Sequence, residues 1–120
     1  MSSHILVVDD ERSILQLESV RLRRLGHDVT TCPRARAALQ TFQSASTDFD
    51  LLITDFQMPG MNGLELASAL RDDGFARPIL LMSGYRPGIP EADVRRAGID
   101  EVLTKPVKTA TLETTIGRLL

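Results

Sequence analysis

Short uncharged runs recur along this sequence, each followed by a stretch whose apolar residues return at helical spacing. Residues 5–8 (ILVV), 51–54 (LLIT) and 78–82 (PILLM) carry no charge at all. A strand with one wet face alternates apolar and polar residues, so continuous runs point to strands covered on both faces. Between them, Ile14, Leu15, Leu22 and Leu25 share one broad helical face, which Gly26 closes as a C-terminal cap. Residues 28–31 (DVTT) make a shorter, more polar strand at an edge. Pro33 suits the start of a second helix, in which Ala35, Ala38, Leu39 and Phe42 fall at i, i+3, i+4 and i+7. Asn62, with Glu65 three residues on, forms a capping box for a helix through Leu66, Ala67 and Leu70. A weak helix over 90–97 stopped by Gly98, a strand over 100–104 (DEVLT), and a last helix striped by Leu112, Ile116 and Leu119 complete the series.

Strands alternating with helices in this way predict an α/β fold, a doubly wound five-stranded parallel sheet with five helices. The sequence shows no linker, repeat or low-complexity segment, and 120 residues make one domain, 1–120, with a single core. A balance of 14 basic to 16 acidic residues, net −2, offers no general attraction to nucleic acid. Cys32 is the only cysteine, so no internal disulfide can form and a reducing compartment is expected. No apolar run is long enough to span or insert into a membrane, and MSSHILVVDDER lacks the features of a signal peptide. A cytoplasmic domain is the expectation.

The polar residues then fall in a telling place. Asp9 and Asp10 follow strand one, Asp55 follows strand three, Ser83 follows strand four and Lys105 follows strand five. Parallel strands all point one way, so these groups meet at one edge. Strand two ends in Thr31-Cys32-Pro33 and adds nothing there. That omission fits the order 2-1-3-4-5, with strand two outermost and a ligand cleft between strands one and three. Each signal alone has an ordinary reading: an Asp doublet as a helix cap, Asp55 as a turn cap, Ser83-Gly84 as a loop start, Lys105-Pro106 as a surface turn. Their joint placement at the carboxyl ends of four strands does not.

Three neighbouring carboxylates repel and raise one another's pKa unless a cation sits among them. A hard divalent ion with oxygen ligands answers that need, and Mg²⁺, which keeps several waters, suits a shallow acidic cleft. A carboxylate nucleophile, a metal and Lys105 can together accept a phosphoryl group in line.

Asp9-Asp10, the run DFQMPGMNGLEL from Asp55, MSGY with Ser83 and TKP with Lys105 resemble the receiver domain of two-component response regulators, over nearly the whole chain and in order. The resemblance implies that Asp55 accepts phosphate from a histidine kinase or histidine phosphotransfer protein. It implies that Asp10, Asp55 and the backbone carbonyl of Gln57 hold Mg²⁺, with Asp9 assisting through water. Ser83 then turns its hydroxyl toward the phosphate, and Lys105 pairs with it across a cis Lys105–Pro106 bond. Such a domain is a phosphoacceptor assisting its own phosphorylation and dephosphorylation rather than an enzyme, and dimerisation on phosphorylation is consistent with it. In the same family Gln57 and Tyr85 flank the path of the hydrolytic water, which predicts an aspartyl phosphate of intermediate persistence.

Two positions depart from that pattern. Val102 stands where the family usually has Tyr or Phe, and Val107 where Phe follows Lys-Pro. Val102 has one stiff χ1 angle and no ring to rotate, so signalling is expected to pass through residues 84–90, or the domain is a relay. The second option suits a receiver from a hybrid histidine kinase or larger regulator, with a single-domain regulator as the alternative, since the chain ends where the last helix finishes. His4 and His27 receive no role, and Cys32 is expected to be a packed residue. A flavodoxin-like nucleotide-binding module would share the strand order but should carry a Ser/Thr- and Gly-rich loop where this chain has DDERS. An Asp-nucleophile phosphatase would need a second Asp where Gln57 stands.

Overall fold

The computed structural model describes residues 3–44, 48–84 and 88–120. In chain order the elements are β1 (His4–Val8), α1 (Arg12–Arg24), β2 (Asp28–Cys32), α2 (Ala35–Ser44), β3 (Leu51–Asp55), α3 (Gly63–Asp72), β4 (Ile79–Ser83), α4 (Glu91–Arg96), β5 (Glu101–Thr104) and α5 (Thr109–Leu119). The strands form one parallel sheet in the order β2-β1-β3-β4-β5, the expected topology.

Burial on both faces follows from the period of two within each run. Leu6, Val8, Leu52 and Leu81 point into a layer shared with Ala35, Ala38, Leu66, Ala67 and Leu70. Ile5, Val7, Leu51, Ile53, Leu80 and Met82 point the other way, onto Leu15, Leu22, Leu112 and Ile116. Hence α1 and α5 cover one face and α2 and α3 the other. The continuous apolar runs exist because every position has a helix to meet.

Several boundaries differ from expectation, each by a residue or two. Asp55 and Ser83 are the last residues of their strands rather than the first after them, because Asp55 still pairs with Met82 and Ser83 with Thr104. The second helix begins at Ala35, two residues beyond Pro33. On α1 the buried face is Leu15, Glu18, Ser19 and Leu22, with Ile14 and Leu25 only half-buried. A carboxylate therefore lies in the middle of a face expected to be apolar.

The α3 capping box is present: Asn62 accepts from the Glu65 amide at 2.8 Å, and the Glu65 carboxylate accepts from the Asn62 amide at 3.0 Å. It fixes the end of the 56–62 loop. Cys32 is 5% exposed, its Sγ lies 3.7 Å from Thr41 Oγ1, and burial raises the thiol above its ordinary pKa. It is a packed residue, as expected. Among the described residues no helix is long and apolar enough to cross a membrane.

Candidate functional site

The sheet's hydrogen-bond ladder runs past the strand ends and carries the polar residues with it. The Asp9 amide donates to Cys32 O (3.2 Å), the Phe56 amide to Met82 O (3.0 Å) and the Lys105 amide to Ser83 O (2.8 Å). Asp9, Asp55, Ser83 and Lys105 thus meet at one end of the sheet on fixed backbone. Asp10, Asp55, Gln57, Ser83, Gly84 and Lys105 line a cleft of about 550 Å³ there. Asp9 lies beneath it, 4% exposed, its Oδ1 accepting from the Glu11 amide at 2.9 Å.

Lys105 is the centre of the charge arrangement. Its Nζ lies 3.0 Å from Asp9 Oδ2 and 3.0 Å from Asp55 Oδ1. Burial pulls the ammonium down, but the two carboxylates outweigh it and its pKa stands above the ordinary value. Burial likewise pushes Asp55 up. Lys105 opposes that push, Asp9 adds to it, and the result is a carboxyl above its usual range.

Asp9, Asp10 and Asp55 each place a carboxylate oxygen within 4.8 Å of the others. At that separation two unit charges repel by roughly 3 kcal/mol at an effective dielectric near 20. One ammonium against three carboxylates leaves negative charge uncompensated, and all the donor atoms are hard oxygens. The residues fit a hard divalent cation. The Lys105–Pro106 peptide is cis, as expected. Tyr85, which the family resemblance places beside the path of the hydrolytic water, lies outside the described residues, as do residues 86 and 87 of the same loop.

In the sequence Gly63 reads only as turn chemistry with Pro59, Gly60 and Asn62, yet the site leans on it. Its amide donates to Phe56 O at 2.8 Å. A Cβ there would run into the Asp55 carbonyl oxygen and come within 2.7 Å of Leu81 Cδ1. The α3 N-terminus can press against the strand bearing Asp55 only without a side chain at this position. We expect Gly63→Ala to destabilise the fold by about 1–3 kcal/mol, as overpacked cores do. Urea denaturation checks this, and a midpoint equal to wild type would contradict it.

Comparison with known proteins agrees with this geometry. The chain is 33% identical over 106 residues to the alkaline phosphatase synthesis transcriptional regulatory protein PhoP of Bacillus subtilis, an alignment covering 88% of this chain and 43% of that protein. It thus spans about half the length of such relatives, 51% for the two-component response regulator PhoP of Pseudomonas aeruginosa. Among solved structures, chemotaxis protein CheY4 of Vibrio cholerae superposes with a TM-score of 0.92 at 33% identity, over 100% of both chains. Response regulator protein TrrA of Thermotoga maritima, solved in complex with Mg²⁺-BeF, gives 0.88 at 31% identity over 98% of this chain and 99% of that one. Residues 5–117 match the family model described as response regulator receiver domain. The strand order is therefore that of a family member, and the chain belongs to the response regulator receiver domains.

Proposed function

We propose that this domain accepts a phosphoryl group on Asp55 from the phosphohistidine of a histidine kinase or histidine phosphotransfer protein. The observation that carries the reading is the Lys105 ammonium bridging Asp9 and Asp55 at 3.0 Å on each side, with Asp55 and Lys105 lining an acidic cleft. An Asp55 oxygen attacks phosphorus, an O–P bond forms as the P–N bond breaks, and the bonding pair returns to the imidazole nitrogen. Lys105 is placed to leave the carboxylate pair and meet the developing charge on the phosphoryl oxygens. Ser83, 2% exposed beside Lys105, would offer its hydroxyl to the same group. Asp10 and Asp55 with the Gln57 carbonyl would hold Mg²⁺, and Asp9 would assist through water. The ion supplies neutralisation of charge on nucleophile and phosphoryl group alike. TrrA, a relative solved with Mg²⁺-BeF, supports that ligand chemistry.

Incubation with beryllium fluoride and Mg²⁺ tests the reading. A single saturable adduct at Asp55 is expected, and a flavodoxin-like nucleotide binder would form none. Asp10→Asn should chiefly remove metal binding, seen as a lost Mg²⁺ titration. If Asp10→Asn titrates like wild type, the ligand set is wrong.

The domain is further proposed to relay phosphate within a hybrid kinase or a larger regulator. Val102, half-buried on β5 and paired with Leu81, has no ring to rotate when the cleft fills. Relatives about twice this chain's length are consistent with a larger assembly. Amide shifts with and without beryllium fluoride should move residues 83–90 more than β5 and α5. Equal movement in both would refute the muted switch.

A further inference from the structure

The buried face of α1 holds an ion pair that neither fold nor cleft has accounted for. Glu18 is 5% exposed, and its Oε1 accepts from Arg21 Nη1 at 3.0 Å. Arg21 Nη2 then donates to Val107 O at 2.7 Å, across 86 residues of sequence. Val107 stands two residues past Lys105. On the other side of that lysine, its own amide is tied to Ser83 O at 2.8 Å. Lys105 is therefore held between two backbone anchors, one supplied by the sheet and the other by Arg21.

We propose that Glu18 and Arg21 are a positioning pair for phosphoryl transfer, holding the backbone just past Lys105 so that its ammonium stays aimed at Asp55. The inference rests on the function proposed above. Packing alone would not select these residues. Their neighbours Leu15 and Leu22 show that the face accepts apolar side chains, and apolar replacements of buried ion pairs are often neutral or stabilising. Moreover, the pair is incompletely satisfied: Glu18 Oε2 and Arg21 Nε are buried without a hydrogen-bond partner in the described structure. A half-satisfied pair is costly to keep. What it secures is the reach to Val107 O. The pair also lies within electrostatic range of the site: burial raises the Glu18 carboxyl, Arg21 and then Lys105 draw it down, and Asp9 pushes it up.

The test compares wild type, Arg21→Lys, and the double variant Glu18→Leu/Arg21→Met. Two quantities are read: the rate of phosphorylation by acetyl phosphate at saturating Mg²⁺, and the ¹³Cε resonance of Lys105 in metal-free protein. Lysine at position 21 keeps the charge but lacks the fork that serves Glu18 and Val107 O together. Both variants should phosphorylate about tenfold more slowly, since small misplacements of a catalytic group cost rate steeply. The Lys105 resonance should shift while Mg²⁺ affinity holds, and the double variant should melt no lower than wild type. Wild-type rates with an unmoved Lys105 signal in Arg21→Lys overturn the proposal, even if the double variant fails to fold. A wild type that takes no phosphoryl group would instead defeat the function proposed above, and the Lys105 resonance would still decide this one.

Discussion

Asp55→Asn is expected to abolish phosphoryl incorporation from acetyl phosphate and Mg²⁺ while leaving the protein folded. The amide is nearly isosteric with the carboxylate, so the packing at the end of β3 survives, but the nucleophilic oxygen charge is gone. A second effect tests that explanation. Burial holds the Asp55 carboxyl above its ordinary pKa despite Lys105. For an acid with a raised folded pKa, its stabilising contribution is present below the unfolded pKa and lost as pH rises through the folded one. At neutral pH the wild-type fold therefore bears the cost of an ionised, partly desolvated Asp55, and Asn removes it. Metal-free Asp55→Asn should melt above wild type at neutral pH, and the gap should close in acid. Undiminished phosphate on the variant would show that another residue is the acceptor. A variant that melts below wild type at neutral pH would show that the Lys105 pairing outweighs burial.

The fold was legible because its signal is local and repeated. Leu51–Thr54 and Ile79–Met82 are apolar at nearly every position, and parallel strands require both faces covered. The cleft residues were legible for a related reason: strand direction alone brings Asp9, Asp55, Ser83 and Lys105 to one edge. Strand ends were not legible to the residue, since a ladder bond such as that between Lys105 N and Ser83 O depends on register between distant segments. The close approach at Gly63 was missed on the same ground. Its need for no Cβ comes from Asp55 and Leu81, outside its own helix. Glu18 illustrates a different blindness. It sits at i+3 from Leu15 and i−4 from Leu22, squarely on the apolar stripe, but a carboxylate there reads as a solvated interruption. Arg21 three residues on was the available clue, as a partner that makes burial tolerable.

Lys105→Met carries the second large effect, on rate and stability together. The ammonium lies 3.0 Å from both Asp9 and Asp55, and Asp9 is 4% exposed. Removing one partner of a buried pair costs about 3–5 kcal/mol, because the remaining charge is left uncompensated. Lys105 keeps 22% of its side chain in contact with water, so solvent screening brings the expectation for metal-free protein to about 2 kcal/mol. The pH dependence has a definite sign. The Lys105 pKa is raised, so its contribution is fully present through neutrality in wild type and is lost only as pH rises through the folded value in alkali. In the variant the Asp55 carboxyl, already raised by burial, loses the cation that drew it down, and its pKa climbs further. Stability then falls with rising pH between the acid range and neutrality, more steeply than in wild type. Mg²⁺ should restore much of the loss by binding the folded state alone. It should not restore the rate: without an ammonium to meet the developing phosphoryl charge, transfer from acetyl phosphate should slow by about 10²-fold. Urea denaturation across pH, with and without Mg²⁺, separates the two effects. A variant with the wild-type midpoint at neutral pH in the absence of metal would mean that the ammonium does not neutralise the Asp9–Asp55 pair, and the electrostatic account of the cleft would fall with it.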